Sequence, residues 1–171
     1  MFHEYKSFTQ LPPELEKMCL DLESLTPFSW DAQGKKSPQH ATYRQYHLPS
    51  EVREWLYDNK IIVSDFHVKI HAMFNDGNIH PHIDYARTQA LNYLLTDDGS
   101  KTCWYKHKTI SDYEPSRFGD YLMFEDVELL CSEIIDSHRW HVLDTATIHG
   151  VIDIKSPRIA ITVPYKLSGR L

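Results

Sequence analysis

The sequence predicts a mainly β domain, a sandwich or jelly-roll type barrel braced by N-terminal helices. Three observations point there. Helical spacing of apolar residues is confined to the first sixty positions. From residue 61 the apolar period changes to two. About seven short apolar segments then follow one another, separated by turn signals at Asn75-Asp76-Gly77, Asp97-Asp98-Gly99 and Ser156-Pro157. At 171 residues the chain is the size of one domain, with residues 1–60 as helical support and 61–165 as the β core.

Taken in order, Pro12 and Pro13 open a helix over 12–25, because Pro at a helix start gives up an N–H that has no partner there. Leu15, Met18, Leu22 and Leu25 fall on its apolar face. A polar stretch rich in turn residues follows, with one short strand over 43–47. Ser50 is placed to cap a second helix, in which Val52, Trp55 and Leu56 share a face and Glu51 and Glu54 occupy the first turns. The remaining strands are expected at 65–74, 88–96, 101–106, 127–136, 140–144, 148–154 and 158–164.

Composition narrows the function classes. The residues are 42% hydrophobic, 12% aromatic and 25% charged, a globular profile rather than a disordered one. Lys and Arg number 18 against 24 Asp and Glu, and no basic run exceeds two residues, so duplex nucleic acid is not an expected partner. Cys19, Cys103 and Cys131 are odd in number and widely spaced, which argues for a reducing, cytoplasmic setting and against a thiolate metal site. No stretch approaches a membrane span, and no apolar leader opens the sequence. The 11 histidines stand out, and the chemistry is expected among them.

On an extended segment His82 and Asp84, at i and i+2, point to the same side and can offer an imidazole and a carboxylate to one ion. The triplet alone is weak, since 11 histidines and 14 aspartates in 171 residues give about one HxD by chance. Context comes from His149, on a late strand that an antiparallel barrel can return beside His82. Two histidines and one carboxylate form the facial set that leaves positions open on non-haem Fe(II). Arg158 follows across the 156–157 turn, where a hairpin would set its strand beside that of His149, and its guanidinium can grip a carboxylate with two bonds. Arg158, Ala160 and Thr162 share one face of that strand, and Asn92 brings a costly amide into the apolar run ALNYLL.

Together His82 and Asp84, the ALNYLL strand, the WHVLDT run into His149, and Arg158 in RIAIT resemble Fe(II)/2-oxoglutarate-dependent dioxygenases, in particular the double-stranded β-helix hydroxylases of the aspartyl/asparaginyl and prolyl hydroxylase type. The resemblance covers about residues 61–165 and implies a double-stranded β-helix (jelly-roll, cupin-like) core. It implies His82, Asp84 and His149 as iron ligands, and Arg158 as partner of the distal carboxylate of 2-oxoglutarate. Asn92 and Thr162 are further cosubstrate-binding candidates. The implied reaction consumes O2 and 2-oxoglutarate, releases succinate and CO2, and hydroxylates an unactivated C–H of a small molecule, amino acid or peptide side chain.

Two other readings stay open: a cupin-like hydrolase or isomerase using the same ligands with Zn2+ or Mn2+, and a β-sandwich interaction module without catalysis. His80 competes with His82 as a ligand, but Pro81 fixes the backbone between them and the i, i+2 geometry is lost. His67, Lys69 and His71 share a strand face that either lines the substrate entrance or is the solvated face of an edge strand. Trp30, Trp55, Trp104, Tyr105 and Trp140 are expected as packing residues, and Cys103 and Cys131 as small buried hydrophobes.

Overall fold

The computed structural model describes residues 1–28, 43–74, 77–114, 121–155 and 157–169. Trp30, the Asn75-Asp76 part of one expected turn and Ser156 of another lie outside the described residues. Ten strands, two α-helices and a 3-10 turn at Phe124–Asp126 follow in the order β1 (His3–Lys6), α1 (Pro13–Leu20), β2 (Tyr43–Tyr46), α2 (Ser50–Asp58), β3 (Lys69–Met73), β4 (Gly77–His82), β5 (Arg87–Leu94), β6 (Lys101–His107), β7 (Val127–Ile134), β8 (Trp140–Asp144), β9 (Ile148–Ile154) and β10 (Arg158–Leu167).

Two antiparallel sheets result, one ordered β1-β8-β5-β10-β3-β2 and the other β4-β9-β6-β7. The last eight strands pair end to end: β3 with β10, β4 with β9, β5 with β8, β6 with β7. A single long hairpin, rolled up, produces that pattern, with each consecutive pair of strands parting into opposite sheets after every crossing except β6 to β7.

Alternation along each strand sorts the layers. Ile70 and Ala72 of β3, Leu91 and Tyr93 of β5, Trp140 and Val142 of β8, and Ile159, Ile161 and Val163 of β10 face outward from the six-stranded sheet. There they meet Cys19 of α1 and Val52 and Leu56 of α2, all buried. The opposite faces meet between the sheets, where Trp104 packs with Leu143, and Met73 with Val151 and Ile154. The outer side of the smaller sheet is covered by Tyr113, Leu122 and Phe124 over Cys103 and Tyr105. The expected packing roles of Trp104, Tyr105, Trp140, Cys103 and Trp55 hold, Trp55 lying partly buried against the core, while Cys131 is only partly buried.

Several expectations change. The N-terminal sixty residues are not only helical support: β1, which was not expected, and β2, the short strand expected over 43–47, form the two edges of the larger sheet. The first helix stops at Leu20 instead of running to 25. The second begins at Ser50 after Pro49; the Ser50 hydroxyl bonds Glu51 rather than capping the helix. Strand β3 starts at Lys69, because His67 adopts a left-handed φ of 53° in the turn before it. Most consequentially, β9 and β10 do not form a hairpin: β9 runs between β4 and β6, and β10 between β3 and β5.

The β4·β9 pairing tolerates no side chain at Gly150, where a Cβ would lie 2.6 Å from the Ile79 carbonyl oxygen. Because the obstacle is backbone, Gly150→Ala is expected to force the strands apart at a cost of about 1–3 kcal/mol, read as a lowered thermal midpoint. An unchanged midpoint would contradict this register.

Candidate metal centre

The rolled hairpin sets His82, the last residue of β4, directly opposite His149 on β9, so their side chains enter the space between the sheets together. Their ring centroids are 4.4 Å apart. Asp84 lies two residues beyond, its amide held by the Thr145 carbonyl at 3.1 Å, and its Oδ1 is 3.6 Å from His82 Nε2. One ligand atom from each of the three lies within 4.8 Å of the other two. Each imidazole is oriented from behind: His82 Nδ1 meets the His80 carbonyl at 2.8 Å, and His149 Nδ1 meets the Thr147 carbonyl at 3.0 Å. With Nδ1–H donating to those carbonyls, both Nε2 lone pairs are left for an ion. The set of two imidazoles and a carboxylate fits a divalent first-row metal.

His80 is not a ligand in this arrangement. It supplies its carbonyl to His82, and its ring lies 5.0 Å from that of Phe124. The loop behind His149 is itself braced, as the Asp144 carboxylate accepts from the Thr147 hydroxyl at 2.6 Å and from the Ala146 amide at 2.9 Å.

Arg87 is the site residue that the sequence did not single out. Its Nε donates to Asp84 Oδ2 at 2.6 Å and its Nη1 to the Thr162 hydroxyl at 2.9 Å. The guanidinium thus occupies one carboxylate oxygen and leaves the other turned toward the histidines. Burial pushes the Asp84 carboxyl up, but Arg87, then His149 and His82, outweigh it and hold the group well below the usual carboxylate range. Burial and then His82 draw His149 down to about 4. Both shifts favour the forms that bind metal, a carboxylate and a neutral imidazole. The signal available in the sequence was local: an Arg three residues after the HxD aspartate, at the head of the next strand.

Thr162 therefore faces the site, with Lys69 opposite it on β3 and Asn92 opposite it on β5. Asn92 Oδ1 is buried with no hydrogen-bond partner. Lys69 and His71 are not a solvated edge: β3 is an inner strand, Lys69 is 6% exposed with its ammonium 4.9 Å from the Phe28 ring centroid, and His71 Nε2 is buried. Burial, then Arg87, lowers Lys69 to about 7 against a pull from Asp84. His67 belongs to the preceding turn and not to this face.

Arg158 shares the face of Thr162 but sits four residues away, about 13 Å along β10. Its Nη1 contacts Ser100 Oγ at 2.7 Å and Asp98 Oδ1 at 3.3 Å, so a carboxylate of the protein itself already engages the guanidinium. The structure thus brings His82, Asp84 and His149 together, adds Thr162 through Arg87, and holds Arg158 in a separate buried ion pair.

No protein-family model matches the chain, and no curated protein does. Among solved structures it is similar to one described as the X-ray structure of E. coli ycfD, at 12% identity and a TM-score of 0.47, over 94% of this chain and 49% of that one. The chain spans about half the length of that structure. No helix among the described residues is long and apolar enough to cross a membrane.

Arg87→Met removes the charge that lowers both Asp84 and His149. It is expected to weaken Mn2+ or Zn2+ binding by about 10–100-fold, the usual effect of losing a group that orients a ligand. It is also expected to move the acid limb of binding to higher pH. In the wild type, binding should persist below pH 6.5 and fail as His149 takes up its proton near pH 4. Calorimetric titration at several pH values checks this, and an unmoved acid limb would show that Arg87 does not tune the ligands.

Proposed function

We propose that this chain is a non-haem Fe(II)- and 2-oxoglutarate-dependent oxygenase on a double-stranded β-helix core. The observation that carries the reading is the facial convergence of His82 Nε2, Asp84 Oδ1 and His149 Nε2 from one end of a rolled hairpin. The pairing of β3 with β10, β4 with β9, β5 with β8 and β6 with β7 supports the fold assignment. The resemblance of the HxD, His149 and Arg158 segments to the aspartyl/asparaginyl and prolyl hydroxylase type supports the chemistry.

When bound, Fe(II) with the 2-oxo acid and O2 supplies oxidation of an unactivated C–H, releasing succinate and CO2. The chain's own share is positional. His82 and His149 present lone pairs fixed by the backbone carbonyls behind them, and Arg87 turns Asp84 so that a single carboxylate oxygen faces them. Three protein ligands on one side leave the other side for small molecules. Asn92, with its unpaired buried oxygen beside Thr162, is positioned to meet a polar ligand entering between the sheets. Arg158, which contacts Asp98 and Ser100, is the residue that would hold the distal carboxylate of the cosubstrate. The substrate is a small molecule or peptide side chain, and three free thiols suit a cytoplasmic setting.

One observation favours a second reading. The Arg158–Asp98 pair already neutralises the predicted carboxylate anchor, as expected of a cupin-like metal hydrolase or isomerase that has no dicarboxylate to hold. Anaerobic addition of 2-oxoglutarate to the Fe(II)-loaded protein separates the two. The oxygenase reading expects a visible metal-to-ligand charge-transfer band, lost in His82→Ala and needing much higher 2-oxoglutarate in Arg158→Ala. Fe(II) binding without a band favours the hydrolase or isomerase, and no metal binding at all favours an interaction module.

A further inference from the structure

Away from the metal site, three side chains form a continuous hydrogen-bond chain between the two sheets. Glu133 on β7 meets His3 Nδ1 on β1 at 2.5 Å, and His3 Nε2 meets His141 Nδ1 on β8 at 2.6 Å. His141 Nε2 then meets the Asp136 carbonyl at 3.1 Å. The rings of His3 and His141 lie 4.8 Å apart. This is the one place where β1, an edge of the larger sheet, is tied by side-chain hydrogen bonds to β7, an edge of the smaller one, among the described residues.

Counting hydrogens decides the charge of the chain. Its two ends, an ionised Glu133 and a backbone carbonyl, are acceptors only. Three contacts therefore need three hydrogens, one in each, while two neutral imidazoles carry only two. The third is an added proton, carried either by an imidazole or by Glu133. Without it, one contact sets lone pair against lone pair, and a partly buried polar chain left unsatisfied is costly.

We infer that Glu133, His3 and His141 hold one proton in common and that this proton docks β1: the strand is fastened when the cluster is protonated and loosened when it is not. The other groups facing the cluster do not supply the missing hydrogen. Cys131 on β7 points its thiol at the second Glu133 oxygen, 3.7 Å away. Tyr5 on β1 meets His141 in a T-shaped ring contact, and Arg139, before β8, stacks over Tyr5 and pairs with Asp136. Burial, then His3, draws His141 down. Glu133 is 39% exposed on its side chain, so the proton exchanges with solvent.

Loosening β1 reaches further than the strand. Phe2 stacks on Trp104 at 5.6 Å, and its carbonyl accepts from the Asp144 amide at 2.8 Å. Trp104 in turn lies opposite His149 in the β6·β9 ladder. The direction follows from the count: docking is complete at low pH and is lost as pH rises through the cluster's titration. The inference stands whether or not the metal site is an oxygenase.

Glu133→Gln is the discriminating variant, because a neutral amide donates to His3 Nδ1 and supplies the third hydrogen itself. Hydrogen–deuterium exchange of β1 and β8 amides between about pH 5 and 8, the histidine range, corrected for intrinsic rates and referenced to β10, reads the docking. In the wild type, protection of β1 is expected to fall about tenfold or more with rising pH, the loss of one charge-assisted hydrogen bond. In Glu133→Gln it is expected to be high and independent of pH, and in His3→Phe low throughout. Wild-type protection that does not vary with pH overturns the inference. So does a Glu133→Gln strand that keeps the wild-type pH dependence or fails to dock at any pH.

Discussion

Antiparallel pairing of β4 with β9 is the constraint on which the candidate centre depends. His82 and His149 are 67 positions apart, and only this ladder sets them opposite each other with both side chains turned between the sheets. The ladder in turn needs a glycine at 150, since the Ile79 carbonyl passes where a Cβ would stand. On its other side β9 pairs with β6, which puts Trp104 beside His149. A slip of one residue would turn an imidazole to the outer face and dismantle the set, so register and chemistry are specified together.

Around that pairing the polar groups are arranged so that each ligand is held from a second direction. The two histidines are fixed by carbonyls two residues before them in the chain, and Asp84 by the Thr145 carbonyl on its amide and Arg87 on its carboxylate. A carboxylate buried among histidines is tolerable because the guanidinium offsets its desolvation. The same logic at the other end of β10 joins Arg158 to Asp98 and Ser100. Among the described residues two separate part-buried Asp–Arg pairs thus form, with Lys69, His71, Thr162 and Asn92 on the strands near the first.

Much of this was legible in the sequence, for definite reasons. The period-two alternation located β5, β6, β8 and β9 within a few residues, and the HxD spacing with His149 pointed to the three side chains that the fold brings together. Long-range pairing is less accessible. A short connection between 154 and 158 reads as a hairpin turn, yet in a rolled double hairpin it carries the chain from one sheet to the other. Arg87 was missed because its role depends on the turn after Asp84 and on a threonine 75 residues later, neither visible as periodicity. The strand at His3–Lys6 is four residues long and polar, so nothing in its composition distinguishes it from a tail; its place is fixed by β8 and by the histidine chain to β7.

Three side chains placed by one ladder can hold a metal on one side and leave its other side open. A crystal structure of the Mn2+-loaded protein, with anomalous scattering recorded at the manganese edge, tests it most directly. A single anomalous peak is expected, bounded by His82 Nε2, Asp84 Oδ1 and His149 Nε2, with solvent at the other positions and Arg87 still on Asp84 Oδ2. A peak elsewhere, or a fourth protein ligand closing the open side, would contradict it.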